Sequence, residues 1–426
     1  MRIGIRREDK SIWEARIPIV PEHIAKLAAQ GIEVKVQPSE QRIFPDSELS
    51  AAGAILSEDI SDCGVVLGVK EIPLDVFRPE TTYVFFSHTI KGQAYNMPML
   101  EKMMELGCNL IDYERIADED GRRLVSFSRF AGLAGMIDSL WVLGRRFEAL
   151  GRETPLLEVK QALEYASLEE AQAHLLSVSE RFADEVEEPV VLAVTGMGRV
   201  ARGALEVARY LFPHLVAPGS LGKRALNRGF NLVLFDVPDL VERLDGGRVD
   251  TQEYRAHPER YRSAFAKALP HIDLLINGIY WEPEYPRLIT KKDVEAMWAD
   301  GVTPRLQVIG DVSCDIEGSV EVTVKACDPG NPCFVWDVER GAEVDGIEGR
   351  GPVVMATDIL PTELPREASF AFSETLVDMA PTLAAADPSL PLHAWGLPAE
   401  LERAVILHHG KLTPNYAYLE PFLGQR

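Results

Sequence analysis

Two apolar segments each run into an ionisable side chain that could exchange protons with a ligand. Residues 63–71 (CGVVLGVKE) lead to Lys70, and residues 82–91 (TYVFFSHTIK) lead to His88. Apolar runs of this length are typical of strands buried in a parallel sheet, and ligands bind beyond the carboxyl ends of such strands. A lysine and a histidine at that edge predict an acid–base pair for chemistry at an amine or a carbonyl. Taken singly, each residue is also typical of a structural role.

Arginines in the same part of the chain could bind carboxylates. Arg16 lies in a loop (EARIPIVP) between the first strand and the first helix, and Arg122 and Arg123 follow a turn (DGRRLVSF). The guanidinium fork matches a carboxylate in a bidentate way, which predicts an acidic substrate. A lone arginine is also typical of a surface charge, so the residue type leaves both interpretations open.

A separate candidate site is a glycine-rich turn between a strand and a helix. The strand-like run 190–195 is followed by Gly196-Met197-Gly198-Arg199-Val200-Ala201, which has the form G-x-G-x-x-A. The first glycine allows a tight turn, the second lets the backbone approach a pyrophosphate, and the helix N-terminus faces the phosphates. In this context the motif predicts a dinucleotide, although many strand–helix junctions are rich in glycine.

The choice of dinucleotide depends on the segment that follows the glycine turn. An NAD-preferring site has an acidic residue at the end of the next strand, about 20 residues on. Residues 215–220 contain no acid, and Asp236 follows Gly198 by 38 positions, which makes it a poor candidate. The sequence therefore favours NADP(H) over NAD(H), with a 2′-phosphate near the residues Arg202, Ser220, Lys223 and Arg224. These cations could equally be solvated in a loop.

Two further polar positions follow apolar runs in the second half of the chain. Asn277 ends one run and is predicted to approach the nicotinamide end of the dinucleotide, and Asp311 follows another run and is predicted to close the site. The aspartates near residue 311 have neither EF-hand spacing nor an octahedral ligand set, so no metal site is predicted.

Composition bounds the class of protein. The 426 residues are too many for one core and predict two domains, with three left open by length alone. The net charge of −22 argues against nucleic acid or an anionic membrane as partner. No run approaches the ~18 apolar residues of a membrane span, and the five scattered cysteines imply no disulfide framework. The N-terminus shows no targeting pattern, so the expected location is the cytoplasm.

Strand and helix patterns alternate along the chain, which predicts an α/β protein with parallel sheets. We expect a substrate domain at 1–135, completed by 356–426, and a dinucleotide-binding domain at 136–355. Residues 131–150 predict a long helix whose small residues allow close packing on a neighbouring element such as the other domain. Residues 399–407 predict a helix near the C-terminus.

Several blocks together resemble the lysine–ketoglutarate reductase domain, the N-terminal half of eukaryotic aminoadipic semialdehyde synthase. They are RREDKSIWEARIPIVPEHI, GVKEIP, FFSHTIKGQAYNM, LIDYERIADEDGRRLVSF, AGLAGMID, INGIYWEPEYPRL, GDVSCDIEGSVE and TDILPTELPREAS. More distantly, the chain is similar to lysine-forming saccharopine dehydrogenase, alanine dehydrogenase and transhydrogenase. The resemblance implies two Rossmann-like domains facing across a cleft, the first completed by the returning C-terminus.

The resemblance also implies a reaction, the condensation of L-lysine with 2-oxoglutarate and reduction by NADPH to saccharopine. It makes Lys70 and His88 the acid–base pair, with Glu71 and Glu114 in the substrate site tuning proton affinities. It implies that the substrate carboxylates are bound by Arg16, Lys91 and Arg123. It also implies that the pyrophosphate is bound by Gly196, Gly198, Arg199 and Val200. The second domain of the bifunctional enzyme is missing, which implies a separate saccharopine dehydrogenase partner; a homo-oligomer stays open.

Two alternatives remain at this point. Another imine-reducing amino-acid dehydrogenase, acting on alanine or a different amine–oxoacid pair, would share Arg16, Lys70 and His88. A non-catalytic regulator that binds NADP(H) would keep the fold without turnover.

Overall fold

The computed structural model of the protein describes residues 1–424, and the chain divides into two units. Unit 1 comprises Met1–Phe127 and the segment from Pro365 onward, and unit 2 comprises Ser128–Leu364. The sequence-based divisions at 135/136 and 355/356 lie eight and nine positions from these points. The first division differs because one long helix begins at Ser128 and belongs entirely to unit 2.

The strands follow in chain order. They are β1 Arg2–Ile5, β2 Glu33–Val36, β3 Ile55–Leu56, β4 Val65–Leu67, β5 Thr82–Phe85, β6 Asn109–Asp112, β7 Val190–Thr195, β8 His214–Val216, β9 Phe230–Phe235, β10 Val241–Arg243, β11 Tyr261–Ser263, β12 Leu274–Asn277, β13 Val308–Asp311, β14 Cys333–Asp337, β15 Ala342–Asp345, β16 Val353–Met355, β17 Val405–His408 and β18 Lys411–Leu412.

The α-helices are joined to these strands by short loops and 3₁₀ turns. They are α1 Pro21–Ala29, α2 Asp46–Ala51, α3 Met97–Glu105, α4 Ser128–Ala149, α5 Leu168–Glu185, α6 Arg199–Ala208, α7 Val237–Leu240, α8 Thr251–Ala256, α9 Lys291–Trp298, α10 Pro365–Leu376, α11 Ala380–Ala385 and α12 Ala399–Glu402.

Unit 1 is built on a sheet with the order β18-β17-β6-β5-β4-β1-β2-β3. The strands from β1 to β6 are parallel to their neighbours, and β17 pairs antiparallel with β6, so the C-terminal segment completes the sheet. The helix predicted over 399–407 is therefore wrong beyond Glu402, where α12 ends. Val405, Ile406 and Leu407 are all buried in β17. A short apolar run of this kind does not distinguish a buried strand from a helix.

Unit 2 contains a second sheet, with the order β15-β14-β16-β13-β12-β7-β9-β8. Six neighbouring strands of this sheet are parallel, in the spatial order β8, β9, β7, β12, β13 and β16. At the other edge, β14 pairs antiparallel with both β16 and β15. The strand next to β7 on one side is β9, and β8 lies outside β9 although it comes first in the sequence. Both units are thus α/β with mostly parallel sheets, as the sequence predicts.

The small residues of α4 pack against unit 2 itself. A Cβ on Gly132 would lie 1.9 Å from the carbonyl oxygen of Val200, and a Cβ on Gly203 would lie 2.1 Å from that of Arg129. Helices α4 and α6 therefore approach backbone to backbone. The close packing expected from these small residues is confirmed, and the partner of Gly132 is α6 of the same unit rather than the other domain.

Two classes of feature are absent from residues 1–424. None of the helices there combines the length and the apolar character needed to cross a membrane. No group of three or more His, Cys, Asp or Glu side chains in that range is arranged to hold a metal ion.

Candidate catalytic and dinucleotide sites

Lys70 and His88 follow neighbouring strands of the unit 1 sheet. Strands β4 and β5 pair in parallel, and the ladder continues past their ends, since Gly68 donates to the Val84 carbonyl and Phe86 donates to that of Val69, both at 3.0 Å. Lys70 comes one residue after this last bond and His88 two residues after it. The structure therefore brings both predicted residues to the carboxyl edge of the same sheet, where ligands of such folds bind.

Glu71 fixes the ring of His88. The Nδ1 atom of His88 lies 2.8 Å from Oε1 of Glu71, and the Nζ of Lys10 lies 3.5 Å from the same oxygen. Burial raises the pKa of Glu71, but the hydrogen bond and charge of His88 outweigh it, and the net effect lowers that pKa to about 2. Glu71 is therefore a carboxylate at neutral pH, which favours a protonated Nδ1. His88 Nε2 has no hydrogen-bond partner among the described residues.

His88 also has an unusual backbone conformation. Its φ angle is +49°, in the left-handed region that non-glycine residues seldom adopt. Its carbonyl accepts a hydrogen bond from the Asn96 side chain at 3.1 Å, which helps to hold this turn. Such conformations cost roughly 1–3 kcal/mol and cluster at functional sites. The strain is consistent with a histidine whose ring direction matters.

Glu8 holds the segment that carries Lys70, and the sequence analysis missed this role. Its two carboxyl oxygens accept the backbone N–H groups of Val69 and Lys70 at 2.8 and 3.0 Å. Glu8 is fully buried, and this burial raises its pKa to about 7 despite Arg6 nearby. The acidic residue itself is visible in the RRED block of the sequence. Its contact with the Lys70 segment depends on β1 lying beside β4, and this pairing cannot be read from the sequence.

Arg16 is held inside unit 1 rather than presented to solvent. Its Nε and Nη2 atoms donate to the two carboxyl oxygens of Glu14 at 2.7 and 2.5 Å, and its guanidinium carbon lies 4.2 Å from the centre of the Phe127 ring. Burial raises the pKa of Glu14, but Arg16 and then the charge of Lys70 lower it overall. Arg16, Glu14 and Lys70 thus form one cluster of charges. Within it, the Nε and Nη2 side of the Arg16 guanidinium is already bonded to Glu14.

Asp112 joins the ends of β5 and β6. It accepts the backbone N–H of Ser87 at 3.1 Å, the hydroxyl of Ser87, and the N–H of Glu114 at 2.7 Å. Burial raises its pKa to about 6. Glu114 in turn accepts from Nη2 of Arg123 at 2.5 Å. The predicted site residues Glu114 and Arg123 are therefore bonded to each other. Asp112, two positions before Glu114, holds Ser87, the residue that precedes His88.

Lys91 differs from the other predicted cations. Its side chain is exposed and makes no hydrogen bond or ion pair among residues 1–424. It is therefore the one predicted carboxylate ligand of unit 1 whose charge no acidic side chain of the described chain takes up.

In unit 2 the glycine turn, Gly196–Gly198, begins directly after β7. Gly196 has a φ of +86°, and its N–H donates to the Phe235 carbonyl at 2.9 Å. Gly198 precedes α6, and no side chain caps the N–H groups of this helix. A Cβ on Gly198 would meet no atom within 4 Å, so the space over the helix N-terminus is open. Backbone N–H groups facing open space fit the pyrophosphate of a dinucleotide.

Two of the predicted dinucleotide ligands lie in a buried network instead. The side-chain nitrogen of Asn277 donates to Asp311 and to Ser319, both at 2.9 Å, and its oxygen accepts from Thr195 at 3.0 Å. Asp311 also accepts from Thr323 and is fully buried, which raises its pKa. Asn277 and Asp311 thus tie the carboxyl ends of β7, β12 and β13 together beneath the glycine turn.

Two of the predicted 2′-phosphate ligands, Ser220 and Lys223, lie apart from that turn, whereas Arg202 lies in α6 directly after it. Ser220 belongs to a 3₁₀ turn after the edge strand β8, and Lys223 donates to the Gly219 carbonyl at 3.0 Å. A Cβ on Gly222 would come within 2.4 Å of the His271 ring, and His271 precedes β12. By Lys223 and Arg224 the chain has therefore turned back toward the amino edge of the sheet. Asp236, set aside on spacing, directly follows β9, the neighbour of β7.

Comparison with known proteins identifies the family of the chain. Residues 4–134 match the family model of the alanine dehydrogenase/PNT N-terminal domain. The α-aminoadipic semialdehyde synthase of Arabidopsis thaliana is 36% identical over 98% of this chain and 41% of its own length. The chain therefore spans less than half of that relative. The saccharopine dehydrogenase [NAD(+), L-lysine-forming] of Emericella nidulans is 28% identical over 88% of this chain and 90% of its own length.

A solved structure supports the fold. An L-alanine dehydrogenase superposes with a TM-score of 0.63 over 99% of both chains, at 18% sequence identity. At that identity the likeness concerns the fold, and it agrees with the α/β architecture and with the family match of residues 4–134.

Proposed function

Since this chain is homologous to the α-aminoadipic semialdehyde synthases over 98% of its length and carries an alanine dehydrogenase/PNT N-terminal domain, we propose that it is an oxidoreductase that makes saccharopine. The ε-amine of L-lysine attacks the ketone of 2-oxoglutarate, one water leaves, and the resulting imine is reduced. A bound nicotinamide dinucleotide supplies the hydride for the imine carbon, is itself oxidised, and one proton is taken up from solvent.

The observation that carries the proposal is the 2.8 Å contact between Glu71 and His88 beside Lys70. Condensation to an imine needs one proton removed from the substrate ammonium and one delivered to the departing hydroxyl. With Glu71 ionised and bonded to Nδ1, His88 exchanges protons through Nε2. His88 is the proposed donor to the hydroxyl of the carbinolamine.

Lys70 is the proposed acceptor of the substrate's ammonium proton. A general acid or base must be held at hydrogen-bond reach of the atom it serves. The two backbone N–H bonds to Glu8 fix the position of Lys70, and the nearby Glu14 stabilises the charge that Lys70 gains when it accepts the proton. Its half-buried side chain leaves one part in contact with solvent or substrate.

The carboxylates of the substrates need cations. Lys91 is the proposed ligand of one of them, since its charge has no partner among the described residues. Arg123 is proposed to bind a second carboxylate in exchange for Glu114. Arg16 is bonded through two nitrogens to Glu14, so we propose that it reaches a substrate through its remaining N–H groups.

The proposed dinucleotide site is the glycine turn and the first turn of α6, with Gly196, Gly198, Arg199 and Val200 along the pyrophosphate. The absence of an acid in 215–220 favours NADPH. The strand order of unit 2 favours NADH, because β9 lies beside β7 and is followed by the acid Asp236. One relative's name, NAD(+)-dependent and L-lysine-forming, agrees with the second choice.

Two other functions make different predictions. A related dehydrogenase for alanine or another amine–oxoacid pair would use the same Lys70 and His88, so the fold does not separate it from the proposal. A regulator would bind the dinucleotide and turn nothing over.

The test is an assay of dinucleotide oxidation by the purified protein with L-lysine and 2-oxoglutarate, each omitted in turn. NADH and NADPH are run side by side, and pyruvate with ammonia replaces the substrates in a parallel series. We expect activity that requires both lysine and 2-oxoglutarate, with saccharopine identified by mass. Activity with pyruvate and ammonia alone would contradict the proposal, and so would dinucleotide binding without any turnover.

A further inference from the structure

A C-terminal 3₁₀ helix, Pro414–Phe422, lies against the loop of unit 1 that carries Lys91. The hydroxyl of Tyr418 donates to the Ile90 carbonyl at 2.8 Å, although these two residues are 328 positions apart in the chain. The residue that precedes Lys91 is therefore held by a side chain from the far end of the sequence.

The residue that follows Lys91 is held by an aromatic ring from the same 3₁₀ helix. A Cβ on Gly92 would lie 2.5 Å from the ring of Phe422, so the ring packs directly on the glycine backbone. Gly92 has a φ of +66°, which glycine adopts without strain, and its N–H donates to the Thr89 carbonyl at 2.9 Å. Lys91 thus lies between two positions that the C-terminal 3₁₀ helix contacts.

The C-terminal 3₁₀ helix is anchored in the core by other residues. Tyr416 is 1% exposed and Leu419 is fully buried, and the Tyr416 hydroxyl donates to the Arg403 carbonyl at 2.9 Å. By contrast, Tyr418 and Phe422 are 50% and 38% exposed. The two side chains that contact the Lys91 loop can therefore be replaced while the buried anchors of the helix remain.

The proposed proton-exchanging group is held by different contacts. Asp112 accepts the backbone N–H of Ser87 at 3.1 Å, and Glu71 lies 2.8 Å from the Nδ1 atom of His88. Neither contact involves the C-terminal 3₁₀ helix. A change in that helix should therefore displace Lys91 without turning the His88 ring.

Holding a lysine in advance strengthens its binding to a carboxylate. When a ligand binds to a mobile loop, the backbone and the long side chain must become ordered, and this loss of conformational freedom opposes binding. Lys91 is exposed, and its charge has no acidic partner among residues 1–424. Contacts at the neighbouring residues Ile90 and Gly92 reduce the part of this cost that comes from the backbone.

We infer that Tyr418 and Phe422 are positioning residues, through which the C-terminal 3₁₀ helix holds Lys91 in place for a substrate carboxylate. They act on the affinity for that substrate and leave the proton transfers unchanged. This inference rests on the proposed function, in which Lys91 binds a carboxylate of one of the two substrates.

The first test is steady-state kinetics of saccharopine formation by Phe422→Ala and Tyr418→Phe. We expect the KM of one substrate, L-lysine or 2-oxoglutarate, to rise roughly tenfold in Phe422→Ala and roughly threefold in Tyr418→Phe, with kcat within about twofold of the wild type. Phe370→Ala is the matched control, because Phe370 is 41% exposed in the same unit and should leave both constants unchanged. Tyr418→Phe keeps its ring and tests the inference even where Phe422→Ala fails to fold.

A second test asks whether Phe422 acts through Lys91. In a Lys91→Met background, adding Phe422→Ala should raise the same KM by less than about twofold, because residues that act through one another are not additive. A rise as large as in the wild-type background would overturn the inference, since Phe422 would then support the site independently of Lys91.

A third test does not depend on turnover. Amide hydrogen exchange of residues 90–93, measured without substrates, should be roughly tenfold faster in Phe422→Ala than in the wild type or in Phe370→Ala. If the wild type turns over no lysine, the proposed function fails, whereas faster exchange at these amides still supports the hold of the C-terminal 3₁₀ helix on Lys91. Unchanged exchange, or an unchanged KM for both substrates in folded and active variants, would overturn the inference.

Discussion

The pKa values of two buried glutamates beside Lys70 are shifted in opposite directions. Glu8 has only Arg6 and two backbone N–H groups to offset its burial, and its pKa rises to about 7. Glu71 is also buried, but its contact with His88 outweighs burial, and its pKa falls to about 2. The charge that faces His88 is therefore permanent, whereas Glu8 can lose its charge near neutral pH. An acid–base site is typically recognised by such a separation of proton affinities.

Replacing either proposed proton carrier should reduce turnover strongly. Lys70→Met and His88→Gln each remove a group that exchanges protons, and we expect kcat to fall by roughly 10²–10⁴-fold, the usual range for a general acid or base. The measurement is kcat for saccharopine formation by the purified variants, with thermal unfolding to show that they fold. Lys26→Met and His393→Gln, at exposed positions of the same unit, serve as controls and should retain wild-type turnover. Unchanged kcat in Lys70→Met and His88→Gln would contradict the assignment.

Removing the charge of Glu71 should have a smaller effect than removing His88. Glu71→Gln keeps a hydrogen-bond acceptor for Nδ1 but loses the negative charge, and a bond to a charged group contributes about 1.5–3 kcal/mol. We therefore expect kcat of the folded variant to fall by roughly tenfold to a hundredfold. Steady-state kinetics over a range of pH measure this, with the exposed Glu105→Gln as control. A Glu71→Gln enzyme with wild-type kcat at every pH would remove Glu71 from the site.

The residues of this site differ in how far sequence can predict them. Lys70 and His88 stand at the ends of apolar runs, so strand pattern and chemistry point to them together. Glu8 holds Lys70 only because β1 lies beside β4, and pairing between strands 60 residues apart has no local signal. Arg16 was predicted as a carboxylate ligand, but the sequence does not show that its guanidinium bonds through two nitrogens to Glu14, two positions away.

At the scale of elements, the order of strands in the sheet carries information that spacing does not. The glycine turn of Gly196 was predicted from its strand and helix context, and the structure has β7 and α6 there. The interval rule then excluded Asp236, because β8 was not foreseen as an outer strand. The same limit applies to β17, whose apolar residues 405–407 fit a helix equally well until their pairing with β6 is known.

Because α4 and α6 are in close contact, replacing a helical glycine with alanine should lower the free energy of unfolding rather than raise it. Alanine is favoured over glycine inside a helix by about 1 kcal/mol, so Gly203→Ala would ordinarily stabilise a protein. Here the added Cβ would lie 2.1 Å from the Arg129 carbonyl oxygen, and the two backbones must separate. We expect a loss of about 1–3 kcal/mol in the free energy of unfolding. Thermal or denaturant unfolding measures this loss.

A control for this substitution is Gly219→Ala in the same unit, where an added Cβ meets no atom within 4 Å. This variant should unfold within about 0.5 kcal/mol of the wild type, as exposed substitutions usually do. A Gly203→Ala protein as stable as the control would show that α4 and α6 can separate at little cost.

At the scale of the whole chain, a buried pair of carboxyl groups joins the two ends of unit 2. Asp138 lies in α4, near the point where the chain enters the unit, and Glu363 lies just before the point where it leaves. Oδ1 of Asp138 accepts the Ala162 N–H at 2.8 Å. Burial, and then the charge of Asp138, raise the pKa of Glu363 well above its usual value, and burial raises that of Asp138 to about 6. Near neutral pH the pair therefore holds one proton, on Glu363.

This pair should make stability depend on pH in a definite direction. Both pKa values are higher in the folded than in the unfolded chain, so proton binding stabilises the folded state. This stabilisation is complete below about pH 4, and the part due to Asp138 is lost as the pH rises from there through its folded pKa of about 6. Glu363→Gln keeps a hydrogen-bond donor toward Asp138 and removes one titration. Relative to the wild type, this variant should become more stable as the pH rises from 4 to 8, because the wild type loses the stabilisation due to the Glu363 proton as the pH rises and the variant does not. Melting temperatures across that range measure the difference, and the exposed Glu180→Gln should parallel the wild type. A constant difference between Glu363→Gln and the wild type at every pH would mean that Glu363 carries no proton in the folded chain.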